Sequence, residues 1–107
     1  MRNKFNARLT TVDGIVFQSM AEAKRFSELK LLEKAGKISA LKPHPKFPIE
    51  FHGRKICTVI GDAEYIENDQ WVVEDIKSVA TNTAVSKLKR KLVAAQYQTV
   101  EWRLIWV

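Results

Sequence analysis

Two apolar stretches, residues 56–66 and 71–77, carry carboxylates where the chain has most reason to be buried. Val59, Ile60 and Ile66 surround Asp62 in the first; Val72, Val73 and Ile76 surround Asp75 in the second. Both read as interior strands, apolar on both sides. A charge in such a strand is costly unless it is paired or binds a metal. Asn68-Asp69 is a turn signal between the two stretches, which makes them antiparallel neighbours. Asp62 and Asp75 are equally far from that turn in the sequence, so they fall close to opposite each other. Side chains alternate along a strand, so Asp75 and Lys77 share one face and Glu74 takes the other, where a surface charge pair is expected.

The rest of the chain frames this pair. Leu9 to Val12, Asp13-Gly14 and Ile15 to Phe17 read as a hairpin, because Asp-Gly between apolar runs favours a two-residue turn. Ser19-Met20-Ala21-Glu22 matches a capping box, and the helix it opens runs to Gly36. Phe26, Leu29 and Leu32 form its apolar stripe. Residues 37–48 hold Pro43, Pro45 and Pro48 and read as an extended connection or an edge strand. Phe47 to Phe51 is expected to pair with Lys55 to Ile66 across His52-Gly53-Arg54. Thr81 or Thr83 caps a second helix that reaches about Tyr97. Its apolar face is expected at Val85, Leu88, Leu92 and Ala95, with Lys87, Lys89, Arg90 and Lys91 crowding the remainder. Val100 to Val107 reads as a final strand. Behind the hairpin the order is helix, three strands, helix, strand: an α/β (α+β) fold with a mixed central sheet flanked by helices.

A length of 107 residues points to a single domain over 1–107. No apolar run approaches the roughly 20 residues of a membrane span. MRNKFNARLT is basic but has no apolar h-region, so no secretion signal is expected. Cys57 is the only cysteine, which excludes an intrachain disulfide and reads as a buried small apolar residue. His44 and His52 lack ligand spacing, so a Cys/His zinc site is not expected. A reducing, cytoplasmic location fits. Lys and Arg outnumber Asp and Glu by 18 to 12, a net charge of +6. That excess favours polyanionic partners, since each phosphate contact releases condensed counterions.

Two facing carboxylates with an ammonium two residues on suit a divalent cation beside a scissile phosphate. Mg²⁺ takes oxygen ligands, usually one or two carboxylates plus waters and substrate phosphate. It polarises a phosphoryl group, and a neighbouring lysine can orient the attacking water and stabilise developing charge.

Asp62 followed by Asp75-Ile76-Lys77 resembles the PD-(D/E)xK, restriction-endonuclease-like nucleases, and the element order matches their αβββαβ core. The resemblance is closest to a family of small phage and prophage proteins near the junction-resolving endonucleases. It is carried by DGIVFQSMAEAKRFSELKLLEKAGKI, GDAEYIEN and VVEDIK and covers most of the chain. It implies a Mg²⁺-dependent endonuclease, with Mn²⁺ as a substitute, that hydrolyses DNA, with branched or four-way-junction DNA as the substrate. It also implies a homodimer working in the cytoplasm, that of the host for a phage protein. Asp62, Asp75 and the Ile76 carbonyl would bind metal, Lys77 would position the water, and Glu22 on the first helix would join the site. Lys87, Lys89, Arg90 and Lys91 would hold DNA phosphates. The sequence departs from the family pattern at Gly61, where the motif has proline, at Ser78, where glycine is common, and at Glu64, which shares a face with Asp62 and competes as a ligand.

Plainer roles stand beside these. Glu22 serves a capping box without any metal. Asp75 and Lys77 form a cross-strand ion-pair position on a solvent face. The basic run is a solvated helix face. Trp71, Trp102 and Trp106 read as core, and His44 and His52 as incidental loop residues. A non-catalytic basic nucleic-acid-binding module with the nuclease fold is the main alternative function. A protein-interaction factor is a third, for which the sequence carries no positive signal.

Overall fold

The computed structural model describes residues 9–107. The reading of residues 1–8 as lacking a secretion signal lies outside the described part. The elements are β1 (Thr10–Val12), β2 (Ile15–Phe17), α1 (Met20–Lys34), β3 (Ser39–Pro43), β4 (Lys46–Phe51), β5 (Arg54–Ile60), β6 (Ala63–Glu67), β7 (Gln70–Lys77), α2 (Ala84–Gln96) and β8 (Val100–Trp106). Three hairpins turn on two-residue corners with left-handed backbone: Asp13-Gly14, His52-Gly53 and Asn68-Asp69. Two successive positive φ angles match the twist of the flanking strands, which is why these residue types sit there.

The main sheet is mixed and four-stranded, in the order β3-β6-β7-β8. β6 and β7 are antiparallel, and β7 and β8 are parallel, joined by the α2 crossover. The extended reading of residues 37–48 resolves into β3, an edge strand that tolerates Pro43. β4 and β5 form a separate hairpin inserted between β3 and β6. The single strand expected over Lys55 to Ile66 is therefore two strands in different sheets, broken at Gly61-Asp62. Without the inserted hairpin, the order α1-β3-β6-β7-α2-β8 keeps the pattern of helix, three strands, helix, strand, but the expected strand Phe47 to Phe51 is β4 of the hairpin, and β3 takes its place in the main sheet.

Alternation along β7 divides the core. Val72 points to one side, where it packs with Ala63, Tyr65, Phe17 and the α1 residues Ala23, Phe26 and Leu29. Val73 points to the other, with Phe47, Ile49, Val59 and Val93 of α2. Phe47 anchors this second cluster through ring contacts to Trp71 (5.7 Å), Tyr97 (5.1 Å) and Trp102 (5.9 Å). Each such buried side chain contributes about 1.5–3 kcal/mol. Trp71 and Trp102 are thus core residues as expected, but Trp106 is more than half exposed.

α1 buries the face its spacing indicated, at Phe26 and Leu29, whereas α2 buries only part of the expected face. On α1 the buried stripe is Ala23, Phe26 and Leu29, and Leu32 is exposed. On α2 the difference is larger. Val85 and Leu88 are 61% and 56% exposed and Ala95 is exposed, whereas Val93 is buried. Ser86, Lys89 and Arg90, on the same stripe as Val93 and Tyr97, are half-buried. Of the expected face, Leu92 packs against the second cluster, but docking against β4 and β5 leaves Val85, Leu88 and Ala95 outside it.

Gly61 marks a close approach. A Cβ there would lie 2.6 Å from Val73 Cγ1 and 3.2 Å from Pro45 Cγ. Val73 is fully buried and β-branched, so it has no easy rotamer escape. Gly61→Ala is expected to destabilise by about 1–3 kcal/mol. A lower urea midpoint with an unchanged m-value would show it; an unshifted midpoint would contradict the close packing.

Candidate active site

The β6–β7 register pairs Ala63 with Glu74, which sets Asp62, just before β6, across from Asp75. The approach is built from backbone bonds. Asp62 N–H donates to the Glu74 carbonyl at 2.9 Å, His44 N–H donates to the Asp62 carbonyl at 3.1 Å, and Gly61 N–H donates to the Pro45 carbonyl at 2.9 Å. Asp62 Oδ2 then accepts the Ile76 N–H at 2.6 Å. Asp75 is buried, and the Lys77 ammonium lies 3.3 Å from its Oδ2. Glu22, Asp62, Asp75, Ile76 and Lys77 all line one cleft of about 860 Å³. Folding therefore gathers all five residues singled out for the chemistry.

Glu22 reaches this cleft from the first turn of α1. Ser19 is the N-cap, and its Oγ accepts the Glu22 N–H at 3.1 Å. The Glu22 carboxylate accepts from Ser19 Oγ at 3.3 Å. Glu22 thus lines the cleft while it also completes the cap, and the two roles coexist.

Electrostatically the cleft is short of positive charge. Desolvation, followed by the Glu22 charge, pushes the Asp62 carboxyl up to about 8; the Ile76 N–H opposes this and Asp75 adds to it. A carboxyl so raised is held beside other acids without enough counter-charge. Among the described residues, no three His, Cys, Asp or Glu side chains are gathered tightly enough to enclose a cation. The donor set suits an open site for Mg²⁺, which uses one or two carboxylates and completes its shell with water and phosphate.

Glu74 corrects the expectation of a surface charge. It occupies the opposite face of β7 from Asp75 but is 1% exposed. Arg25 of α1 grips it with two bonds of 2.8 Å, and Tyr65 Oη donates to it at 2.5 Å. Arg25's own hydrogen bonds to Glu74, with the Glu74 charge, hold its guanidinium above the ordinary range. Burial, then Glu74, also raises the Tyr65 phenol. Arg103 extends the cluster to Glu67 at 3.0 Å and to Glu101. Arg25 was missed in the sequence, although it lies one turn from Glu22 on the inward side of α1. An arginine there signals a buried anion.

Of the basic residues assigned to phosphates, Lys89 and Arg90 line a second cleft of about 320 Å³ whose wall also includes Asp75 and Lys77. Lys87 and Lys91 are exposed and line neither cleft. Glu64 is across from Lys42 and Val73 and also lines neither.

Residues 2–107 match one family model, described as "Protein of unknown function (DUF1064)". The chain belongs to this family. No curated protein and no solved structure gives a significant match. Among the described residues of this DUF1064 chain, no helix is long and apolar enough to cross a membrane.

Proposed function

We infer that this DUF1064 chain is a divalent-cation-dependent phosphodiesterase that cuts DNA internally, an endonuclease of the PD-(D/E)xK type. The observation that carries the reading is the placement of Asp62 opposite Asp75 in one cleft with Glu22 and Lys77. Asp62, Asp75 and the Ile76 carbonyl would hold the cation, with Glu22 tuning the site. Mg²⁺ or Mn²⁺ bound there would supply Lewis acidity toward the phosphoryl oxygens. Lys77 would orient the attacking water and stabilise the developing negative charge, and Asp75 holds its ammonium at 3.3 Å. The Ile76 N–H fixes the Asp62 carboxylate in orientation. The excess of basic residues draws the polyanion to the surface. Action in the cytoplasm, of the host for a phage-encoded chain, belongs to the same reading. So do a homodimer, which supplies two sites for two strands, and a preference for branched DNA.

The expected result is plasmid nicking that requires Mg²⁺ or Mn²⁺, stops in EDTA, and falls by about 10²–10³-fold in Lys77→Ala. Unchanged cutting by Lys77→Ala rejects the assignment. Comparing junction with linear duplex substrates, alongside light scattering, tests the branched-DNA and dimer components.

A second reading, a non-catalytic nucleic-acid-binding module, is favoured by one observation: Asp75 is paired with the Lys77 ammonium at 3.3 Å. It predicts salt-sensitive DNA binding with no cleavage in any divalent metal.

A further inference from the structure

The C-terminal half of α2 packs apolar side chains, Leu92 and Val93, against the core, but its N-terminal half does not. It turns Lys89 and Arg90 inward to half-buried positions and leaves Val85 and Leu88 facing solvent. Taking cations from water without counter-charge is unfavourable, and exposing large apolar side chains is too. Among the described residues, no carboxylate pairs with either cation. Arg90 is instead held by neutral partners, Ser86 Oγ at 3.2 Å and Asn82 Oδ1 at 3.1 Å, which orient the guanidinium without neutralising it. The one acid in this cleft, Asp75, is engaged by Lys77.

One further feature favours an anion beside these cations. The cleft includes Thr83, the N-cap of α2, and the first turn of that helix has no acidic residue, so its positive dipole end is uncompensated.

We propose that the Lys89–Arg90 cleft is a subsite for a backbone phosphate neighbouring the one in the acidic cleft, so that a nucleic-acid strand crosses from one to the other over Asp75 and Lys77. The idea that the second phosphate belongs to the strand being cut rests on the phosphodiesterase reading; the anion subsite does not. A phosphate held here sets the distance between the gripped and the scissile positions, and it restricts substrates to polynucleotides rather than small diesters. Lys87 and Lys91, on the exposed flank, contribute only to the general field.

The test is fluorescence anisotropy of a short single-stranded DNA oligonucleotide in EDTA across a salt series. Each single-strand phosphate contact contributes about 0.7 to the slope of log K against log salt. The double variant Lys89→Gln/Arg90→Gln is expected to lower the slope by about 1.4. The double variant Lys87→Gln/Lys91→Gln removes the same charge and is expected to lower it by less than half as much. Equal effects from the two pairs, or no effect from the first, overturn the subsite. Because binding is read without metal, the two readings fail separately. A slope loss at Lys89 and Arg90 without cleavage in any divalent ion rejects the phosphodiesterase and supports the subsite. Cleavage with an unaffected slope rejects the subsite alone.

Discussion

Asp62→Asn is expected to stabilise the metal-free protein at pH 8 while abolishing divalent-dependent cleavage. In the fold, the Asp62 carboxyl is raised to about 8 from an ordinary 3.8, first by desolvation and then by Glu22. Below pH 4 the group is protonated in both folded and unfolded chains, and it costs nothing. Between pH 4 and 8 the unfolded chain ionises and the folded one resists, so stability falls as pH rises. Above pH 8 the penalty is complete. Asparagine cannot ionise, and its side-chain oxygen can still accept the Ile76 N–H. A tenfold change in proton affinity corresponds to about 1.4 kcal/mol. If only one such factor remains after relaxation, Tm in EDTA at pH 8 rises by about 6–10 °C. At pH 4 the variant and the parent should melt together. A variant less stable than the parent at pH 8 would show that Asp62 is not held against its charge.

Metal should reverse this pattern in the parent protein. A divalent cation stabilises the ionised carboxylates, so Mg²⁺ binding at pH 7 should release protons, and its affinity should rise with pH up to about 8. Asp62→Asn should lose both effects. Isothermal titration in buffers of different ionisation enthalpy measures the proton release; equal heats in all buffers would contradict it.

Arg25→Ala is expected to cost about 3 kcal/mol or more, because it leaves Glu74 buried without its bidentate partner. Tyr65 Oη would remain, but one hydroxyl does not balance a carboxylate in a buried site. The loss is a large part of the stability of a domain this size. It should be partly recovered in Arg25→Ala/Glu74→Gln, where the stranded charge is removed. The effect has a functional side. Arg25 fastens α1 to the centre of the sheet, and Glu22 sits one turn away on the same helix. Loosening that anchor should therefore weaken Mg²⁺ binding as well as stability. If Arg25→Ala costs less than about 1 kcal/mol in urea unfolding, the pair does not hold α1 in place.

Much of this protein was legible in short-range patterns. Asp13-Gly14 and Asn68-Asp69 set two hairpins because few residues accept left-handed backbone. Ser19 sets the first helix start through its side-chain oxygen, and of the two candidates Thr81 and Thr83 it is Thr83 that caps the second. The Asn68-Asp69 corner placed Asp62 opposite Asp75, because a two-residue turn leaves no freedom in the register that follows. The gathering of Asp62, Asp75, Ile76 and Lys77 follows from that register.

Other features depend on residues far apart in the chain. At the break at Gly61-Asp62 the chain passes within a side chain's width of Val73, which leaves room only for glycine. The burial of Glu74 required Arg25, 49 residues earlier, to meet it across the core. Of the apolar face expected on α2, only Leu92 reaches the core, because the helix docks through Val93 and Tyr97 beside Phe47 and the β4–β5 hairpin. Local sequence limits backbone angles and register, because those depend on neighbours within a few residues. Which side of a helix is buried, and which charge meets which, depends on the surface that arrives from elsewhere. For this chain, that difference separates the legible Asp62–Asp75 pair from the Lys89–Arg90 cleft beside it, which came into view only once the helix had docked.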